Sequence, residues 1–283
     1  MGTILLASKK GPTSGPSTYK GAALYTFTSK IRYSEIDETG RLSVPAAINY
    51  LQDASTFHAE DVGQGLEHAR ATGTAWMLAA WRIEIRKLPA MGESICVRTW
   101  PTGYKGLFSN RNFTIHTADA AADEEPCLRA DSIWFLYDTA AGRPRRIGEE
   151  HLAAFADQDG FEAALDMDAA QRRIHLPQGA VAIDAEPVRV ATTHIDTNHH
   201  VNNAQYVGMA IDALLEYPPA QRAREALANR SDDSPITIDV QYSSAATRGQ
   251  TIYPHIYQDA AGFIVSLDDL DGAHFAIVSI SQA

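Results

Sequence analysis

THIDTNHHVNNAQYVGMAID, residues Thr193–Asp212, crowds Asp196, Asn198, His199, His200, Asn202 and Asn203 into eight positions. Apolar side chains at helical spacing follow, Val207, Ala210, Ile211 and Leu214, and Pro218 and Pro219 end the pattern. The polar cluster is therefore a strand-to-helix corner, with Asn202 or Asn203 as its natural N-cap. A corner of this kind gathers free backbone N–H groups, the positive end of a helix dipole, a carboxylate, an amide and an imidazole. Acyl transfer needs those parts.

Upstream, IRYSEIDETGRLSVPAAINYLQDA (Ile31–Ala54) has the same order: a strand from about Leu24 to Ile36, a turn at Asp37–Gly40, then a helix with Ser43 as cap, Pro45 in its first turn and Gly63 as its stop. A shift of 159 positions carries Ile36, Asp37, Asp53 and Ala54 onto Ile195, Asp196, Asp212 and Ala213 without a gap. With a shift of 157, Gly92 meets Gly249 and Ile95 meets Ile252. Four strands are predicted after the first helix, at 74–87, 94–102, 107–117 and 127–138, with turn signals at 89–92, Gly103, 118–126 and Gly142. A strand at 188–195 precedes the second corner, and four more follow its helix, at 236–243, 251–257, 262–268 and 275–280. A helix buried against an antiparallel sheet is the economical solution for each half, an α+β architecture occurring twice. The expected division is a flexible tail over 1–20, a first unit over 21–156, a linker lying on the surface over 157–186, and a second unit over 187–283. Where the second corner has Asn198 and His200, the first has Thr39 and Arg41, and neither replaces an imidazole as a base. Chemistry at a corner belongs to the second.

These two segments carry a resemblance. IRYSEIDETGRLSVPAAINYLQDASTFHAEDVG and HIDTNHHVNNAQYVGMAID together resemble the acyl carrier protein thioesterases, the plant and bacterial fatty acyl-ACP hydrolases. The resemblance implies two tandem hotdog folds, each a long helix wrapped by an antiparallel sheet. It implies hydrolysis of a fatty acyl thioester of acyl carrier protein (ACP) to free acid and carrier thiol, with no metal or organic cofactor. The family's catalytic Asp, Asn and His fall on Asp196, Asn198 and His200, and its acyl chain is expected in an apolar channel of the first unit. Trp76, Met77, Ala80, Leu51 and Phe57 are candidates for its lining, each also readable as plain core. One position departs from the pattern: the family's Glu, three residues after the aromatic that aligns with Tyr242, is Ala245 here. Asp239 and Glu216 are the nearest carboxylates in sequence.

Within the reaction, Asp196 serves as base or nucleophile, His200 binds water or protonates the leaving thiolate, and Asn198 orients substrate or carboxylate. The backbone N–H groups of 201–203 are candidate oxyanion donors. The competing reading makes Asp196 and Asn202 simple turn and helix caps. His199 alternates away from His200 and is expected at the surface. His194, His199 and His200 have no cysteine or second carboxylate at ligand spacing, so no metal is expected. An acyl-CoA hydrolase and a catalytically weak acyl-chain binding protein are the alternatives.

A formal net charge of −11 and a pI near 5.3 speak against nucleic acid or anionic membrane as partners. Arg143, Arg145 and Arg146 form a charged turn that, read functionally, docks an acidic carrier protein. Two cysteines without metal spacing and no bilayer-length apolar run predict a soluble, cytoplasmic protein, a monomer or homodimer.

Overall fold

A computed structural model describes residues 24–121, 124–155, 163–220, 235–258 and 262–282. The expected tail over 1–20 lies outside them. The first unit begins with β1 (Tyr25–Lys30), α1 (Val44–Asp61), α2 (Leu66–Thr72) and β2 (Thr74–Ile85). It continues with β3 (Ser94–Lys105), β4 (Phe108–Thr117), β5 (Leu128–Asp138), β6 (Arg143–Arg145) and α3 (Glu149–Phe155). The second has β7 (Ile183–Asp184), β8 (Val188–Arg189), α4 (Asn203–Glu216), β9 (Ile236–Tyr242), β10 (Thr251–Gln258), β11 (Gly262–Asp268) and β12 (His274–Gln282).

Each long helix follows from its sequence. Ser43 Oγ accepts the Ala46 N–H at the start of α1, Pro45 sits in the first turn, and Val44, Ala47, Ile48, Leu51, Ala54 and His58 form the buried stripe. Asn202 Oδ1 accepts the Ala204 N–H at the start of α4, and that helix ends before Pro218. Leu51 and Ile48 are fully buried, each worth roughly 1.5–3 kcal/mol. Opposite them lie β2 to β5, with Trp81 against Phe113 at 4.9 Å between ring centroids.

Among the described residues the strands form one antiparallel sheet, in the order β1-β3-β4-β5-β2-β9-β12-β11-β10-β7. The second half of that order mirrors the first. The two units meet at β2 and β9, in a register that sets Arg82 opposite Asp239. Arg82 Nη1 donates to both Asp239 oxygens, at 2.9 and 3.1 Å. The 157-residue shift that relates the copies takes Arg82 onto Asp239.

Four local expectations are corrected. The strands predicted over 24–36 and 188–195 stop at Lys30 and Arg189, because 3-10 turns at Tyr33–Glu35 and Thr192–His194 reverse the chain. In those turns the Glu35 carboxylate and His194 Nδ1 accept the N–H groups of Arg32 and Ala191. Gly103 is not a turn: β3 runs through it at a register shift, and Gly106, at φ 67°, makes the turn. Arg143–Arg145 pairs with the end of β5 as a short edge strand. The linker, as far as it is described, is tied down. Leu165 and Ala170 donate their N–H groups to the side chains of Asn112 and Asp131, and Ile174 to Gln241, so it straps the outer face of both units.

Candidate active site

The second corner is built by the backbone. Ile195 bridges Val201, the Asp196 N–H donates to His200 O at 2.8 Å, and the His199 N–H donates to Asp196 O at 3.1 Å. Asp196 Oδ1 accepts the N–H groups of Asn198 at 2.8 Å and His200 at 3.4 Å. Among the described residues Oδ2 accepts none. Asp196 and His200 are half-buried, while Asn198 and His199 are exposed.

The first corner repeats these bonds 159 positions earlier. Ile36 bridges Leu42, the Asp37 N–H donates to Arg41 O, the Gly40 N–H donates to Asp37 O, and Asp37 Oδ1 accepts the Thr39 N–H at 2.9 Å. The turn therefore uses the aspartate Oδ1 as an acceptor in both copies, whatever the chemistry. What differs is Asn198 and His200. Their counterparts are engaged within the fold: Thr39 donates to Asp37, and the Arg41 guanidinium donates to Leu88 O at 3.0 Å.

Of the backbone donors expected over 201–203, two are occupied. The Val201 N–H donates to Ala246 O and the Asn202 N–H to His194 O. The Asn203 N–H, at the positive end of α4, makes no hydrogen bond among the described residues. Behind the corner, Tyr242 donates to Asn203 O at 3.0 Å and the Ala246 N–H donates to the Tyr206 hydroxyl at 2.8 Å. Burial pushes the Tyr206 phenol up to about 12, with the nearby Asp196 charge adding to it.

Sequence reasoning overlooked Gln52. This α1 side chain crosses from the first unit, its Nε2 donating to Asn202 Oδ1 at 3.2 Å and its Oε1 accepting from Asn203 Nδ2 at 3.2 Å. The neighbouring approach of Gly208 to Pro45 runs α1 and α4 in opposite directions. The signal for Gln52 was its place in the NYLQDA segment; what it touches was not legible.

Ala245 is exposed, next to the buried Ala246 that backs the corner. Neither carboxylate near it in sequence substitutes for the missing Glu. Asp239 is committed to Arg82, and Glu216 closes α4, about 20 Å from its start.

The five lining candidates separate. Leu51 is fully buried in the core beneath α1, Trp76 is half-buried with its ring 6.3 Å from that of Phe155, and Phe57 is exposed, edge-on to Phe27. Met77 and Ala80 are corrected: strand alternation turns Met77 away from Trp76, and a bulge between Leu78 and Ala80 turns Ala80 outward, against Ile133 and Ala170 of the strap. A cavity of about 360 Å³ opens on that outer side, lined by Thr102, Lys105, Asn112, Asp131, Leu165 and Met167 and by no residue of the corner. Among the described residues no group of three or more His, Cys, Asp and Glu is placed to hold a metal ion, and no helix is long and apolar enough to cross a membrane.

Residues 23–155 match the family model of the acyl-ACP thioesterase N-terminal domain and residues 181–269 that of the C-terminal domain, together more than half of the chain. The chloroplastic oleoyl-acyl carrier protein thioesterase 1 of Arabidopsis thaliana is 21% identical over 194 residues, 65% of this chain and 53% of its own. The chain spans about half the length of the curated relatives it matches. Among solved structures, an acyl-ACP thioesterase from Bacteroides thetaiotaomicron aligns with a TM-score of 0.75 at 18% identity, over 92% of this chain and 98% of that one. The 12:0-ACP thioesterase from Umbellularia californica aligns at 0.73 and 18%, over 93% and 98%.

Proposed function

The chain belongs to the acyl-ACP thioesterase family, and on that premise we propose that it hydrolyses a fatty acyl thioester of acyl carrier protein to the free fatty acid and the carrier thiol. The observation that carries the reading is the difference between two corners of one backbone design: only the second holds an amide and an imidazole beside the aspartate. Asp196 Oδ2 takes a proton from the attacking water or attacks the carbonyl itself. His200 holds that water or protonates the departing sulfur. The Asn203 N–H donates to the developing oxyanion, where the α4 dipole favours negative charge. Gln52 fixes the start of α4 against α1, so acyl chain and reacting carbonyl are presented by different units. Asn198, exposed at the rim, is left to orient the arriving thioester.

The carrier protein is proposed to dock on Arg143, Arg145 and Arg146, all exposed on the β6 edge of an otherwise acidic molecule. Cys96 and Cys127 are free thiols, which fits the cytoplasm as the proposed location. Ala245 favours a second reading, a slow enzyme that holds its acyl chain longer than it hydrolyses it.

Single-turnover release of fatty acid from acyl-ACP tests the proposal. Asp196→Asn keeps an oxygen for the two N–H groups of the turn, so the corner stays folded while the carboxylate is lost. Release is expected to fall at least about a hundredfold in this variant and in His200→Ala, and to be unchanged in Asp37→Asn at the first corner. Equal losses at both corners, or none at either, would overturn it.

A further inference from the structure

The interior of the first unit holds an arginine that has no carboxylate partner among the described residues. Arg111, on β4, is only 7% exposed. Its Nη1 donates to His58 Nδ1 at 3.0 Å and Thr99 Oγ1 at 3.1 Å, and the Phe155 ring lies 5.3 Å from its guanidinium carbon. Among the described residues Nε and Nη2 donate no hydrogen bond, and no carboxylate pairs with the group. Burial lowers its pKa to about 10, with the Tyr104 phenol pulling the other way.

A second observation stands beside it. His151, on the same face of α3 as Phe155, is 4% exposed, and among the described residues neither of its ring nitrogens is hydrogen-bonded. Glu150 Oε1 comes within 3.1 Å of its Nδ1, outside hydrogen-bond geometry. His68 Nε2 and Gln64 Oε1 are also buried without a hydrogen-bond partner among the described residues. The His151 ring is 6.1 Å from both the His68 and Trp76 rings, and Trp76 is 6.3 Å from Phe155. Unused donors from the sheet, α2 and α3 thus collect around two aromatic rings under the second half of α1. Buried polar groups rarely go unmatched, and a few convergent ones in apolar surroundings are what orients a ligand.

We propose that this cluster receives an oxygen function on the distal part of the acyl chain, a hydroxyl, oxo or carboxyl group, and makes the protein selective for oxygenated over plain acyl chains. The inference rests on the thioesterase reading above, which puts the acyl chain in the first unit. Gln52 holds the corner, and His58, which carries Arg111, lies six residues farther along α1, about 9 Å. The buried Leu51 and Ala54 belong to the same stretch of helix. A plain methyl terminus at Arg111 would leave Nε, Nη2 and His151 without acceptors or donors; an oxygen would satisfy them.

The test compares fatty acids of eight to sixteen carbons with their ω-hydroxy counterparts, by calorimetric titration of the full chain and by release from the corresponding ACP thioesters. At the fitting length the hydroxylated acid is expected to bind at least about tenfold more tightly, with the same preference in kcat/KM, and the ratio to fall toward one in Arg111→Met and His151→Phe. Plain chains bound as well or better at every length would overturn the proposal, whether or not the variants fold. Binding needs no hydrolysis, so a failure of turnover alone counts against the thioesterase reading and leaves the selectivity measured.

Discussion

His199 is the one non-glycine residue with positive φ among the described residues, at 65°, and its counterpart in the first corner is Gly40, at 76°. A β-carbon in that region costs roughly 1–2 kcal/mol. His199→Gly is therefore expected to be at least as stable as the parent, whereas His199→Val should lose about 1–2 kcal/mol, read from thermal denaturation. The sequence pointed to Asp196, Asn198 and His200 as one cluster, and the structure keeps them on one turn. It could not show that the turn itself engages the aspartate Oδ1; only the paired corners reveal that. Met77 and Ala80 were misplaced for a local reason. Neighbours in a strand face opposite sides, and a bulge leaves no mark on apolar periodicity.

At the scale of elements, both long helices were legible from their caps, apolar stripes and terminators, because those signals are local. The short 3-10 turns were not, since single side-chain acceptors, Glu35 for the Arg32 N–H and His194 for the Ala191 N–H, close them and leave no mark on the apolar pattern. Burial would raise the Glu35 carboxyl, but hydrogen bonds from the Arg32 side chain and backbone and from Tyr50 outweigh it and hold the group below its ordinary 4.5. A depressed folded pKa means stability present above the unfolded value and lost as pH falls through the folded one. Acidification below about pH 4.5 should therefore lower the melting temperature of the parent more steeply than that of Glu35→Gln. Parallel slopes would remove Glu35 from the account.

For the molecule as a whole, the repeat was legible because a gapless shift aligns the corners, yet the continuous sheet was not, because the joining of two edges has no sequence period. The strap was also hidden: its ties are single backbone N–H groups on Asn112, Asp131 and Gln241. A sheet shared by both units predicts one cooperative unfolding transition in denaturant. Arg82→Leu, which strips the desolvated Asp239 of its partner, should lower the stability of that transition by about 1–3 kcal/mol. The double variant Arg82→Leu/Asp239→Leu should recover most of the loss.

Arg82 and Asp239 occupy the same position in the two copies and face each other across the junction. That point is a local two-fold axis. Were either unit to dimerise with an identical twin through this edge, the axis would set arginine on arginine or aspartate on aspartate. Opposite charges there exist only because the two halves have diverged, so each half recognises its sibling and repels itself. Joined in one chain, the two halves let one residue position act as a key and its lock.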